Sequence, residues 1–252
     1  MQLIITFKAE PELILPINHH HILQSVIYEA LESDDAYGKT VHDGGYANGK
    51  RKYKLFQFGQ LKGNYRIDSR KIIFSGMVTW EIRSVIPSMI TILEQYYRSN
   101  GINFGSECYD ILDIKTMDRT INSDSVVIKM NTPVTVHSTD GSTGKTYFPE
   151  PDNPDFLRLI NDNFRRKYEA YKGKKAGDNL TIQTVSFREK DKYVTRYKNF
   201  YISGWFGIYR ILGNPQYIDF LYQTGLGERN SQGFGMFEIL KRGVNDNGGN
   251  QI

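Results

Sequence analysis

Apolar residues recur along this chain with two periods, one near two residues and one near 3.6, and each change of period marks a new element. Leu3-Ile4-Ile5-Thr6-Phe7 is apolar and β-branched and predicts a first strand, bounded by Pro11 and Pro16. Between His19 and Glu32, residues Ile22, Leu23, Val26, Ile27, Ala30 and Leu31 share one helical face. Asn18 is the expected N-cap, and Tyr28 lies on the border of the stripe. A polar loop containing Gly38, His42, Gly44, Gly45 and Gly49 comes next. Lys50 to Phe58, Lys71 to Val78 and Cys108 to Ile114 read as strands. Ile82 to Tyr97 reads as a helix that Pro87 either kinks or opens. The order β-α-β-β-α-β is that of a ferredoxin-like unit, which is also the RRM topology.

The second half alternates less regularly. Ser125 to Met130 predicts a strand, and Thr132 to Val136 with Gly144 to Phe148 predicts a hairpin across Asp140-Gly141. Asp155 to Tyr171 is helical in pattern, with Phe156, Leu157, Leu159, Ile160 and Phe164 as its apolar face. Leu180 to Phe187 and Lys198 to Leu212 read as strands. A helix around Tyr217 then leads through a glycine-rich loop into a strand from Met236 to Leu240. The segment 243–252 is expected to be a disordered tail.

Composition narrows the function classes. The 252 residues suit one large domain or two small ones, and 39% hydrophobic residues are too many for a disordered chain. A net charge of +4 admits a polyanionic partner without requiring one. The single cysteine, Cys108, excludes a disulfide framework and a cysteine-ligated zinc site. His19, His20 and His21 point in different directions on a helix, so no metal site is expected there, and no cofactor is called for. Apolar runs are too short to span a membrane and the N-terminus does not resemble a signal peptide, so a cytoplasmic protein without membrane association is expected.

The most specific wording is Gly225-Leu226-Gly227-Glu228-Arg229-Asn230-Ser231-Gln232-Gly233-Phe234-Gly235-Met236. It joins a helix to a strand, the reverse of a P-loop or Rossmann turn, and lacks Gly-Lys-Ser/Thr. Such a loop can offer backbone N–H groups and Arg229 to an extended anion such as an RNA backbone, or can merely let the last strand enter its sheet. The wording resembles the C-terminal signature of the CRISPR-associated endoribonucleases of the RAMP superfamily, which cut precursor CRISPR RNA within its repeats. The resemblance extends upstream through Gly204-Trp205-Phe206-Gly207, Tyr209-Arg210-Ile211 and Gly213-Asn214-Pro215. It returns near the N-terminus at Asn18-His19, Leu23-Gln24, Ile27-Tyr28 and Phe56-Gln57-Phe58-Gly59-Gln60-Leu61, with Gly59 where the family usually has Ser.

The resemblance implies an α+β fold of tandem ferredoxin-like (RRM-like) domains, residues 1–120 and 121–242. It also implies a catalytic set: His42 in the loop after the first helix, Tyr28 on that helix, and a basic residue just before the next aromatic pair. Counting back from Phe56 puts the last at Lys54, with Lys52 as the alternative. Taken alone, these residues have ordinary readings as a surface-loop histidine, a helix-border tyrosine and an edge-strand lysine. The expected RNA contacts are Gly225, Gly227, Arg229, Asn230, Ser231, Gly233 and Gly235 of the loop, together with Lys52. A basic segment adds Arg188, Lys190, Lys192, Arg196 and Lys198, interleaved with Tyr193, Tyr197 and Phe200. Cations for phosphates and rings for unpaired bases suit RNA, although a solvated edge hairpin has the same composition.

The expected activity is metal-independent cleavage of repeat RNA by its own 2′-hydroxyl, leaving a 2′,3′-cyclic phosphate and a 5′-hydroxyl. CRISPR repeat RNA is the expected partner, with a homodimer and association with an interference complex left open. The rival readings are a repeat-RNA binding module that does not cut, and a tandem RRM protein, for which the RNP signature is missing.

Overall fold

The computed structural model describes residues 1–34, 45–197 and 200–242, so His42, Lys198 and the tail 243–252 lie outside the described residues. The first half holds β1 (Gln2–Pro16), α1 (His20–Glu32), β2 (Tyr46–Asn48), β3 (Arg51–Tyr53), β4 (Phe56–Phe58), β5 (Lys62–Asp68) and β6 (Lys71–Ser84). It continues with α2 (Pro87–Asn100), β7 (Ile102–Phe104), β8 (Glu107–Tyr109) and β9 (Ile111–Met117). The second half holds β10 (Ser125–Met130), β11 (Ser138–Thr139), β12 (Thr146–Tyr147), α3 (Pro154–Lys172), β13 (Thr181–Ser186), β14 (Lys192–Tyr197) and β15 (Phe200–Trp205). It closes with β16 (Ile208–Leu212), α4 (Pro215–Thr224) and β17 (Phe237–Arg242).

Two antiparallel sheets carry the architecture, ordered β4-β6-β1-β9 and β13-β16-β10-β17. In each, the first strand of a β-α-β-β-α-β unit lies between the third and the fourth, which is the ferredoxin-like arrangement. The fold is therefore tandem ferredoxin-like. Leu3, Ile5 and Phe7 of β1 pack with Leu23, Ile27 and Leu31 of α1 in one core. Val126 and Ile128 of β10 pack with Phe156, Ile160 and Phe164 of α3 in the other. Each such fully buried side chain contributes about 1.5–3 kcal/mol.

Several elements differ from the expected ones, each for a local reason. β1 runs 15 residues, through Pro11, because its register with β6 jumps from Ala9↔Gly76 to Leu13↔Phe74. The bulge removes Pro11 from the ladder, so its missing N–H costs nothing there. Helix α1 starts at His20 with His19 as N-cap, and Asn18 instead accepts a hydrogen bond from the Thr195 hydroxyl at 3.0 Å. The strand expected over Lys50–Phe58 is broken at Leu55, whose φ is 57°. Its first part pairs back on β2 as a hairpin, while β4 joins the sheet. β6 keeps Ile82 and Ser84, which the sequence assigned to a helix, and Pro87 opens α2 at its first turn, where a fixed φ is already helical. β5 was not foreseen, because its seven residues are all exposed and show no apolar alternation. The strand expected from Cys108 splits at Asp110 into β8 and β9, and that from Lys198 splits at Phe206-Gly207 into β15 and β16.

The two units share a polar seam. Gln57 Nε2 donates to the Tyr222 carbonyl at 2.7 Å, and the Met1 ammonium donates to Gln223 Oε1 at 2.8 Å. The buried Arg83 guanidinium donates to the Phe237 carbonyl at 2.8 Å and lies 4.0 Å over the Tyr222 ring. Leu55 is buried in the second core, with Tyr46 and Tyr53 packed against it, so the β2–β3 hairpin leaves the first unit to lean on the second.

Candidate functional site

That lean opens a cavity of about 470 Å³ between the units, with Lys52 and Lys54 on one wall and Arg229, Ser231 and Gln232 of the glycine-rich loop on another. The loop folds back on itself before β17. Leu226 N–H donates to the Gly235 carbonyl at 2.9 Å, and Gly235 N–H donates to Pro133 at 2.9 Å. A Cβ at Gly235, where φ is +81°, would stand 2.0 Å from the Leu226 carbonyl oxygen. One at Gly227, where φ is +69°, would stand 2.6 Å from the Thr135 carbonyl oxygen. Gly225 and Gly233 face the Asn230 amide and the Phe58 ring in the same way. Close approach of protein to protein therefore leaves no room for a side chain at any of these four glycines.

Asn230 also faces inward. Its Nδ2 donates to the Leu226 and Phe234 carbonyls, each at 3.1 Å, and its Oδ1 accepts from Lys167 Nζ at 2.9 Å. Lys167, on α3, further donates to the Gly225 carbonyl at 2.6 Å and the Thr224 carbonyl at 3.4 Å. Three oxygens meet the three ammonium hydrogens. Burial nevertheless lowers the Lys167 pKa to about 7, against the opposing pull of Glu228. Asn230 and Lys167 together set the shape of the loop from inside, where both also line the cavity. Arg229 remains at the cavity with φ 58°, its Nη1 donating to Gln232 Oε1 at 3.2 Å.

Glu228 anchors the opposite side. Its backbone N–H donates to Thr135 at 2.8 Å, and its carboxylate takes Arg51 Nη1 at 3.2 Å and His137 Nδ1. Burial alone would raise this carboxyl, but His137 and Arg51 together hold it below its ordinary value.

Of the expected catalytic positions, Tyr28 and Lys54 are among the described residues. The Tyr28 ring meets the Phe56 ring edge-on, with centroids 6.2 Å apart, and Lys54 is half-buried at the cavity two residues before it. Gly45, the first described residue after the segment containing His42, backs onto them. A Cβ there would lie 2.6 Å from the Tyr53 carbonyl oxygen and 3.3 Å from the Lys54 side chain.

The basic hairpin is only partly as expected. Lys192 and Arg196 on β14 point outward, as does Lys190 in the preceding turn. Arg188 pairs with Asp191 at 3.4 Å, and Lys192 with Glu150 at 3.3 Å. Tyr193 is half-buried, stacked on His20 with centroids 6.1 Å apart and edge-on to Phe234. Sequence reasoning missed Arg51, His137, Lys167 and Glu228 as parts of the site. Lys167 had a signal: it falls on the Phe156–Ile160–Phe164 stripe at helical spacing, a cation on an apolar face. His137 had none, because its partner is 91 residues away.

The family model described as CRISPR associated protein Cas6, C-terminal, matches residues 115–239. The chain is 26% identical over 248 residues to CRISPR-associated endoribonuclease Cas6 1 of Methanocaldococcus jannaschii, covering 94% of this chain and 91% of that protein. Its fold is similar to that solved for a Cas6-related gene product of Pyrococcus furiosus, with a TM-score of 0.80 at 21% identity, covering 96% and 98% of the two chains. It is also similar to that of an RAMP protein binding different RNA substrates, with a TM-score of 0.78 at 20% identity, covering 96% and 100%. Among the described residues no helix is long and apolar enough to cross a membrane.

Proposed function

We propose that this chain is a member of the CRISPR-associated Cas6 family and an endoribonuclease that cuts precursor CRISPR RNA within its repeats. The observation that carries this reading is Lys54 lining the cavity beside Gly45, with Tyr28 packed edge-on against Phe56 two residues further along the chain.

In this reading the RNA supplies its own nucleophile, a 2′-hydroxyl adjacent to the scissile phosphorus. The protein then has to align that hydroxyl, move protons and stabilise charge, which needs no metal ion. His42 takes the proton from the 2′-hydroxyl or returns one to the leaving 5′-oxygen, as an imidazole titrating near neutrality can. Lys54 faces the developing negative charge of the phosphorane, a role worth roughly 3–4 kcal/mol for comparable donors. The Tyr28 hydroxyl orients a non-bridging oxygen. Arg229 and the outward cations Lys190, Lys192 and Arg196 hold the backbone on either side. The same reading places the protein with its transcript in the cytoplasm.

The test is cleavage of a repeat RNA in EDTA by wild type and by His42→Ala, with a second substrate carrying one 2′-deoxy at the cut. Metal-free cutting that leaves a cyclic phosphate and is lost with either change is the expected result. Tight binding by wild type without cutting makes the chain a repeat-RNA binding module, and undiminished cutting by His42→Ala removes His42 from the site.

A further inference from the structure

Outside the Tyr28–Lys54 cluster, the cavity contains a second imidazole whose orientation is fixed by the fold. His137 Nδ1 is bonded to the Glu228 carboxylate, and that carboxylate is held in turn by Arg51. The Glu228 backbone is tied to Thr135, two residues from His137, so both ends of the pair belong to one short antiparallel contact. Phe148 covers one side of the ring, with centroids 6.0 Å apart. His137 is about one-third exposed, at 31%, and lines the cavity with Lys52, Lys54 and Arg229. With Nδ1 engaged, Nε2 is the nitrogen left for the cavity, the tautomer selection that a buried carboxylate imposes on a histidine.

We propose that His137, oriented by Glu228, is a phosphate ligand of the cavity, donating from Nε2 to a backbone phosphate oxygen of the bound RNA. The proposal rests on the RNA-processing reading above and adds a binding residue from the C-terminal unit that is separate from the catalytic set. Donation from Nε2 while Nδ1 also donates to Glu228 requires the imidazolium form. The charged groups around the ring are Glu228, bonded to it, and Arg51, Lys52, Lys54, Arg229 and the buried Lys167 along the same cavity. A phosphodiester entering the cavity adds negative charge beside the ring, and the donation proposed here requires a neutral imidazole to take up a proton on binding. Linkage then makes the affinity rise as pH falls through the histidine range, by at most tenfold per pH unit for one proton. A rim lysine would add salt dependence without that pH slope.

The experiment measures the Kd of a repeat RNA carrying a 2′-deoxy at the cut, at fixed salt from pH 6 to pH 8, for wild type and His137→Gln. Wild type is expected to bind several-fold more tightly at pH 6 than at pH 8. His137→Gln should bind roughly 5–10-fold more weakly at pH 6 and show a flatter profile, because glutamine keeps a donor but does not titrate. In wild-type protein, the His137 imidazole resonances should titrate at higher pH with RNA bound than without it, a readout independent of how the variant folds. Wild-type affinity and pH slope in His137→Gln, or a His137 titration unmoved by RNA, overturns the proposal while leaving the nuclease reading intact. Failure of wild type to bind any repeat RNA overturns the RNA reading itself and this proposal with it.

Discussion

Substituting Gly235 by Ala separates two explanations of the glycine-rich loop, close packing of protein on protein and access for RNA. The new Cβ would stand 2.0 Å from the Leu226 carbonyl oxygen and 2.5 Å from Asn230 Nδ2, at a residue with φ +81°. Left-handed backbone costs an L-residue about 1–2 kcal/mol, and a buried overlap that neighbours must accommodate adds about 1–3 kcal/mol. Any backbone shift also strains the Leu226–Gly235 and Gly235–Pro133 hydrogen bonds, both 2.9 Å, at about 1 kcal/mol each. The sum is about 4–7 kcal/mol, or a fall in Tm of roughly 8–28 °C for a chain of this size. Gly144→Ala is the control: it also has positive φ, but nothing lies within 4 Å of the added Cβ, so its cost should be about 1 kcal/mol. The assay is thermal unfolding followed by circular dichroism, with RNA binding measured below the transition. A Gly235→Ala protein that keeps its Tm to within about 2 °C of wild type but loses RNA would refute the packing account.

Three further outcomes are expected. Burial lowers the His20 pKa to about 4, from an unfolded value near 6.5, so the unfolded chain binds the proton more tightly. Stability present above pH 6.5 is then lost as pH falls towards 4, by about 3 kcal/mol; urea unfolding at pH 7 and pH 4.5 should show that loss reduced in His20→Gln, and identical pH dependence would contradict it. Arg83→Ala leaves Glu81 and the Phe237 carbonyl without their buried partner and should cost about 3 kcal/mol in the same assay, a loss below 1 kcal/mol being inconsistent with the seam described. Single-turnover cleavage should fall about 10²–10³-fold in Lys54→Ala and far less in Lys52→Ala, whereas the reverse order would shift the catalytic register by two residues.

Periodicity and wording along the chain determined the α+β class, the helical stripes and the family resemblance. The apolar faces of α1 and α3 are set by positions three and four residues apart, a relation that local sequence contains in full. The Gly225–Met236 wording and the Phe56–Leu61 run were legible for the same reason, since each is a continuous segment. Tertiary structure decided everything that depends on what stands opposite. β1 passes Pro11 only because it bulges there against β6, and Asn18, no longer the cap, accepts from Thr195. Gly235 and Gly227 lie against the Leu226 and Thr135 carbonyls, and Tyr193 stacks on His20, neighbours that no local pattern announces. The His137–Glu228–Arg51 group joins positions 51, 137 and 228, and hydrogen bonds between such distant residues leave no periodic trace in a chain. Only the docking of two ferredoxin-like units, with a hairpin of the first leaning on the core of the second, brings those side chains to one cavity.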